Sequence, residues 1–272
     1  MSDSDTPLPS PAKGSRARRL IRGPLGSALI AVISVSALLG LWQALAVWYN
    51  VPQWLYPRPS DFLFRLVSDG PSILYHAGVT SATILQGFAM GVLFAVPLAL
   101  LITRVDALRR GIFPMIVALN IIPKSVIGPI LIIWLGISPF VAALIVFLMC
   151  FFPVLVDAME GFRTIDKRLF YISRSMGASR WQTFWKVTLP AALPQILSGM
   201  RIGIMKAVEG VIIAEFIASN AGLGFMIMRA SGFMDISLMF AGIIAAALVA
   251  LVFGAAMSLA ERLLMPWAPA RR

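Results

Sequence analysis

The chain has 272 residues, of which 59% are hydrophobic and 13% charged; a soluble domain carries about 25% charged residues, so an ordinary soluble protein is excluded. Disorder is excluded with it, because 17 Phe, 14 Met and 7 Trp are more apolar surface than a solvated coil tolerates. The net charge of +11 would suggest nucleic acid in a soluble chain, but here the basic residues fall between long apolar runs, which points to an all-α integral membrane protein with the lipid bilayer, and no nucleic acid, as its surroundings.

In chain order, residues 1–24 are rich in Ser, Pro and basic residues and read as a disordered cytoplasmic tail. No formal charge occurs between Arg22 and Arg58, and a first span is expected over residues 26–49. A secretory signal is the alternative, since Ala44-Leu45-Ala46 has the form of a cleavage site, but signal cores run about 7 to 15 residues and this run is longer. Ser60 and Asp61 then open a short external helix.

A second span is expected over 77–103 in the charge-free stretch from Asp69 to Arg104, with His76 as an interfacial residue at its outer start. The third, over 112–135, contains Pro114, Pro123 and Pro129, and Lys124 near its middle beside Asn120 and Ser125. Prolines at this density strip backbone hydrogen bonds, which is tolerable only beside protein or a wet cavity. The fourth span, 139–158, holds the lone Cys150, read as a small buried apolar residue. One His and one Cys leave no metal site and no catalytic residues, and no G-x-x-x-x-G-K-[ST] loop is present to bind ATP.

The connection over 161–190 changes from transmembrane to amphipathic. Asp166 can cap a helix, after which Leu169, Ile172, Ser173 and Met176 share one mostly apolar face. Gly177 supplies the left-handed residue that ends helices. Ser179 with Gln182 forms a capping box for a second piece bearing Trp181, Phe184, Trp185 and Thr188, and Pro190 disfavours helix at Leu189, bounding it. Helices this short need something to pack on. Periodicity alone leaves two partners open: anionic lipid at the interface or a cytoplasmic protein.

The fifth span, 193–219, carries ionisable residues, each costing a few kcal/mol at the bilayer centre. Lys206 and Glu209 lie on one helical face, with Glu215 nearer the exterior. Either Lys206 pairs with Glu209, or Lys124 pairs with Glu209, with no solute contact; or Asn120, Lys124, Ser125, Lys206, Glu209 and Glu215 border a translocation path. Asn220 to Phe225 is a Gly-rich external turn, the sixth span covers 236–260, and residues 268–272 form a short tail. The small-x3-small pairs Gly87/Gly91 and Gly199/Gly203 are assigned to helix packing. Basic residues concentrate in the N-terminus, after the second and fourth spans, and at the C-terminus, so the positive-inside rule puts both termini in the cytoplasm.

Gly177, followed after nine residues by Val187-Thr188-Leu189-Pro190, resembles the EAA loop of ABC-importer permeases, written E-A-A-x3-G-x9-I-x-L-P. Gly177-Ala178-Ser179-Arg180-Trp181, Leu189-Pro190-Ala191-Ala192-Leu193-Pro194, Gly222-Leu223-Gly224, Leu131 to Gly136 and Phe152-Pro153 resemble the nitrate, sulfonate and taurine branch, and the likeness runs from about Tyr56 to Trp267. One departure stands out: Tyr171-Ile172-Ser173 replaces Glu-Ala-Ala.

The resemblance implies a type I importer permease fold of six transmembrane helices over 25–267, in a bacterial inner membrane. Its partners would be two cytoplasmic ATP-binding-cassette subunits, a second permease copy and an extracytoplasmic solute-binding protein. The chain itself would be no enzyme and bind no cofactor, ATP and Mg residing on the ATPase. The coupling residues would be Asp166, Leu169, Tyr171, Ile172, Ser173, Met176, Gly177, Ala178, Ser179, Trp181, Leu189 and Pro190, with a hydroxyl at Tyr171 bonding where the family has a carboxylate. The expected cargo is a small solute, foremost an anion such as nitrate, a sulfonate or taurine, with bicarbonate and uncharged cofactor precursors left open. The rival is a secondary transporter or channel, which would be marked by an inverted repeat with matching broken helices; none is visible.

Overall fold

The computed structural model describes residues 24–50, 52 and 55–266. Apart from Pro24, the tails expected over 1–24 and 268–272 fall outside these residues. Every regular element among them is helical, and the chain divides into two units, up to Asp61 and from Phe62 onward.

In the first unit α1 (Pro24–Trp48) shows apolar side chains to its surroundings almost all along its length. Its end is tied locally. Gln43 Oε1 accepts from Ser60 N at 3.2 Å and the Trp42 and Tyr56 rings lie 5.2 Å apart. Here α2 (Pro59–Ser68) begins, at the expected Ser60 and Asp61.

The second unit continues through α3 (Gly70–Arg104), α4 (Asp106–Ile121), α5 (Lys124–Leu135) and α6 (Pro139–Arg163). It goes on to α7 (Lys167–Ser175), α8 (Arg180–Thr183), a π-helical turn over Phe184–Thr188, α9 (Leu189–Ala218), α10 (Leu223–Gly232) and α11 (Ile236–Leu264). By length and composition α1 from Leu29, α3, α6 and α11 can each cross a membrane.

Two expectations about continuity are corrected. The third span is not one helix over 112–135. It breaks at Ile122 and Pro123, whose ψ angles of 125° and 121° are extended, because Pro123 lacks an N–H and crowds the residue before it out of the α region. Pro114 and Pro129 stay inside α4 and α5.

Conversely, Pro190 does not end the second loop helix. Leu189 remains helical at φ −66°, ψ −47°, and its N–H reaches Phe184 O, five residues back. Widening the turn accommodates the proline that a regular turn would reject, and Thr188 Oγ1 donates to Thr183 O at 3.3 Å. The chain is therefore helical without interruption from Arg180 to Ala218.

Packing centres on α6, which both α3 and α9 approach closely. A Cβ added at Gly87 would stand 2.5 Å from Val146 Cβ, and one at Gly91 2.5 Å from Cys150 Sγ. From α9, Gly199 and Gly203 would meet Asp157 Cβ at 2.7 Å and Val154 Cγ2 at 2.8 Å. Both glycine pairs thus serve packing, as expected, since small residues let helices touch where lipid removes any hydrophobic drive to associate. Two apolar clusters stack along this seam, one including Ile84, Val146, Cys150 and Leu197, the other Ala99, Ile102, Leu155 and Ile196.

Gly87→Ala and Gly78→Ala make the same change in the same helix, yet Gly78 has nothing within 4 Å of an added Cβ. Gly87→Ala is expected to lose about 1–3 kcal/mol through overpacking, and Gly78→Ala none; melting of the purified protein in detergent measures both.

Candidate functional site

The loop after α6 is capped at each of its helix ends. Asp166 Oδ1 accepts from Arg168 N at 2.8 Å and opens α7 as expected. Its end has the Schellman pattern: Ala178 N donates to Ser173 O and Gly177 N to Arg174 O, both at 3.0 Å, with Gly177 at φ +72°, a conformation that only glycine adopts freely. The capping box then forms in full, Gln182 N donating to Ser179 Oγ at 3.2 Å and Ser179 N to Gln182 Oε1 at 2.9 Å.

Of the coupling residues expected from the sequence, Tyr171, Ile172, Met176 and Trp181 are 68%, 54%, 79% and 69% exposed, with Leu169 at 40%. Trp181, Phe184 and Trp185 gather into an aromatic group with centroids 5.3 to 6.3 Å apart. Solitary exposed apolar residues are ordinary, but a contiguous patch marks a binding surface. The remaining residues lie elsewhere. Ser173 is buried and donates to Phe170 O at 3.0 Å, while Leu189 packs on the cluster around Ala192 and Phe162 and Pro190 is half-buried beside it.

Further along α9 a cavity of about 340 Å³ brings Asn120, Lys206 and Glu209 together with Met149, Phe152 and Pro153. The break after α4 places Asn120 at a helix end facing α9. Lys206 Nζ and Glu209 Oε2 are 2.6 Å apart, and both side chains are about half exposed, so the pairing considered within α9 forms while leaving both groups reachable. Lys124 and Ser125 lie in the first turn of α5, their side chains outside the described residues.

Glu215 does not join this cavity; it is 1% exposed. Its carboxylate accepts from Thr80 Oγ1 at 2.8 Å and from Gly224 N at 2.7 Å, while Thr80 Oγ1 accepts from Leu223 N at 2.8 Å and His76 Nδ1 from Gly222 N at 3.0 Å. The turn over 220–225 is thereby sewn to both α3 and α9. The sequence reading missed this network because Thr80 and Glu215 lie 135 residues apart. Gly222-Leu223-Gly224 was its only trace.

Among the described residues the chain is all-helical, and its glycine-sealed bundle and long apolar helices mark a helical membrane protein. Over residues 87–268 the chain matches the family described as binding-protein-dependent transport system inner membrane component, and it belongs to that family. It is accordingly a multi-pass membrane subunit of an ABC importer rather than an enzyme, ATP hydrolysis in such importers falling to an ATPase subunit.

Among its relatives, the formylaminopyrimidine transport permease protein ThiX of Halalkalibacterium halodurans is 29% identical, covering 85% of this chain and 92% of its own. The taurine transport system permease protein TauC of Escherichia coli is 29% identical, covering 88% and 89%. In fold the chain is similar to one in the inward-facing methionine ABC transporter MetNI, with a TM-score of 0.61 at 17% identity, covering 71% of this chain and 96% of that one.

Glu215→Ala is expected to cost about 3 kcal/mol or more, because it strands two buried donors, Thr80 Oγ1 and Gly224 N. Thr80→Val should cost about 1–3 kcal/mol by orphaning one donor. Thermal unfolding in detergent reads both, and equal stability of Glu215→Ala and wild type would refute the role given to the carboxylate.

Proposed function

We propose that the chain crosses a bacterial inner membrane six times as one domain over 25–267, with both termini cytoplasmic, and that the loop over 161–190 docks into an ATPase subunit. The counted spans are α1, α3, α4 with α5, α6, α9 and α11. Two ATPase subunits, a second copy of the chain and an extracytoplasmic binding protein complete the importer. No cofactor is bound by the chain itself, ATP and Mg belonging to the ATPase.

The observation that carries this reading is the unbroken helix from Arg180 to Ala218. Its first turns hold the exposed aromatic group; its middle holds Lys206 and Glu209 in the cavity. A push on the loop is therefore carried to the cavity wall along one continuous helix. The partner groove buries Tyr171, Ile172, Met176 and Trp181, and the Tyr171 hydroxyl bonds where the family has a glutamate.

The cavity forms the path, with Asn120, Lys124, Ser125, Lys206 and Glu209 along it. Glu215 acts at a distance from it, by holding the outer turn. The cargo is a small anion or zwitterion of the nitrate, sulfonate or taurine kind, a class supported by the taurine permease among the relatives and by an ammonium group that stays half exposed beside its carboxylate.

Gly177→Val forces a β-branched residue to φ +72°, a genuine outlier. When the tagged chain is purified with its neighbouring genes co-expressed, recovery of the ATPase is expected to fall at least tenfold, and recovery of a transport-competent chain without any ATPase would overturn the docking reading. Lys206→Met is expected to reduce uptake about tenfold in vesicles while ATPase recovery is unchanged. Normal uptake by that variant would remove Lys206 from the path.

A further inference from the structure

Behind the docking face lies a second, polar feature. A cleft of about 510 Å³ opens between the end of α3 and the α7–α8 loop, and Arg104, Arg174 and Arg180 line it together with Ser173, Thr183 and Thr188. No carboxylate is among the lining residues. Among the described residues none of the three arginines takes part in an ion pair, whereas Arg65, Arg109 and Arg201 all do.

The hydroxyls of Ser173 and Thr188 donate to carbonyls of their own helices. The donors left to face the cleft are the Thr183 hydroxyl and the guanidinium groups, whose planar forks suit phosphate oxygens. Like charges gathered around an open cleft repel one another, and an anion between them removes that repulsion.

Two further facts bear on the anion's source. Residues advance about 100° per position around a helix, so Phe170 and Arg174, which line the cleft, lie about 100° to 160° around α7 from Leu169, Ile172 and Met176 on the exposed apolar face, with Ser173 at the edge between them. On α7 the cleft's arginine is thus turned away from the apolar contact, while Ser173, Ala178 and Phe184 lie where the cleft and the docking face meet. Arg104 is moreover the last residue of a 35-residue apolar helix, where a span meets headgroups, and basic pockets at that level bind anionic lipid.

We infer that the cleft lined by Arg104, Arg174 and Arg180 is a binding site for a phosphate monoanion or diester, supplied by an anionic lipid headgroup, which ties the coupling loop to the end of α3. The inference rests on the loop being cytoplasmic, as proposed above. A bound headgroup bridges the coupling loop and the end of α3, so lipid composition sets how firmly the loop is held.

The test uses the full chain co-expressed with its ATPase, in nanodiscs of phosphatidylcholine alone or with phosphatidylglycerol, and inorganic phosphate as a separate probe. Native mass spectrometry is expected to find phosphatidylglycerol retained by the wild type, and retained at least tenfold less by the combined variant Arg104→Gln, Arg174→Gln, Arg180→Gln. Lys167→Gln, off the cleft, should behave as wild type. Arg174→Gln alone, losing one exposed and unpaired group, should show about a threefold loss and serves if the combined variant does not fold.

Competition of millimolar inorganic phosphate for the site supports the same chemistry with a soluble source. Equal lipid retention by wild type and variants, with no phosphate competition, overturns the inference. So does a variant that keeps its lipid and loses its ATPase, since the arginines would then meet the ATPase. Failure of the wild type to recover any ATPase strikes the proposed function instead, and the lipid readout stands apart from it.

Discussion

Everything in the second unit depends on how closely α3 and α9 can approach α6. In lipid an apolar side chain gains nothing by leaving its surroundings for another helix, so association rests on dispersion contacts, and these decay steeply with separation. At Gly87, Gly91, Gly199 and Gly203 a Cβ would stand only 2.5 to 2.8 Å from α6, and its absence lets the backbones approach. Cys150 matters here as volume rather than as a thiol: its side chain fills the space that Gly91 leaves. The clusters along the seam, with Ile84, Val146, Leu155 and Leu197 wholly or almost wholly buried, exist because that approach is permitted.

On this rigid seam α9 does two things at once. Its glycine face is fixed to α6, and its other face carries Lys206 and Glu209 toward Asn120. The π-helical turn over Phe184–Thr188 lets the helix begin two turns earlier, in the loop, despite Pro190. Without that wider turn the loop and the cavity would be separate pieces joined by a flexible corner. In the proposed mechanism the turn transmits force, and the Glu215 network at the far end holds the outer turn against the same pair of helices.

Much of the loop was legible from residues alone. Asp166, Gly177, Ser179 and Gln182 act through the backbone of their immediate neighbours, and each forms the cap or turn expected of it. The glycine pairs were legible for the same reason, because their spacing places them on one helix face. Proline was the unreliable sign. Pro123 breaks the third span where continuity was expected, and Pro190 continues the helix where a boundary was expected. A proline's local rules state what it disfavours, whereas the burial of Thr188 and Ala192 decides whether that cost is borne. The surroundings of Glu215 were not legible, because a carboxylate in an apolar run announces only that it has a partner, and its partners Thr80 and Gly224 reach it through the fold.

Composition and charge spacing by themselves determined that the chain is a helical membrane protein, and the capping chemistry around Gly177 determined its loop, since both follow from solvent and from bonds between near neighbours. The tertiary structure alone decided which ionisable residues share a cavity, which one sews the outer turn, and that three arginines from two distant segments line one cleft. Those are meetings of side chains far apart in sequence, and their distances come from helix packing.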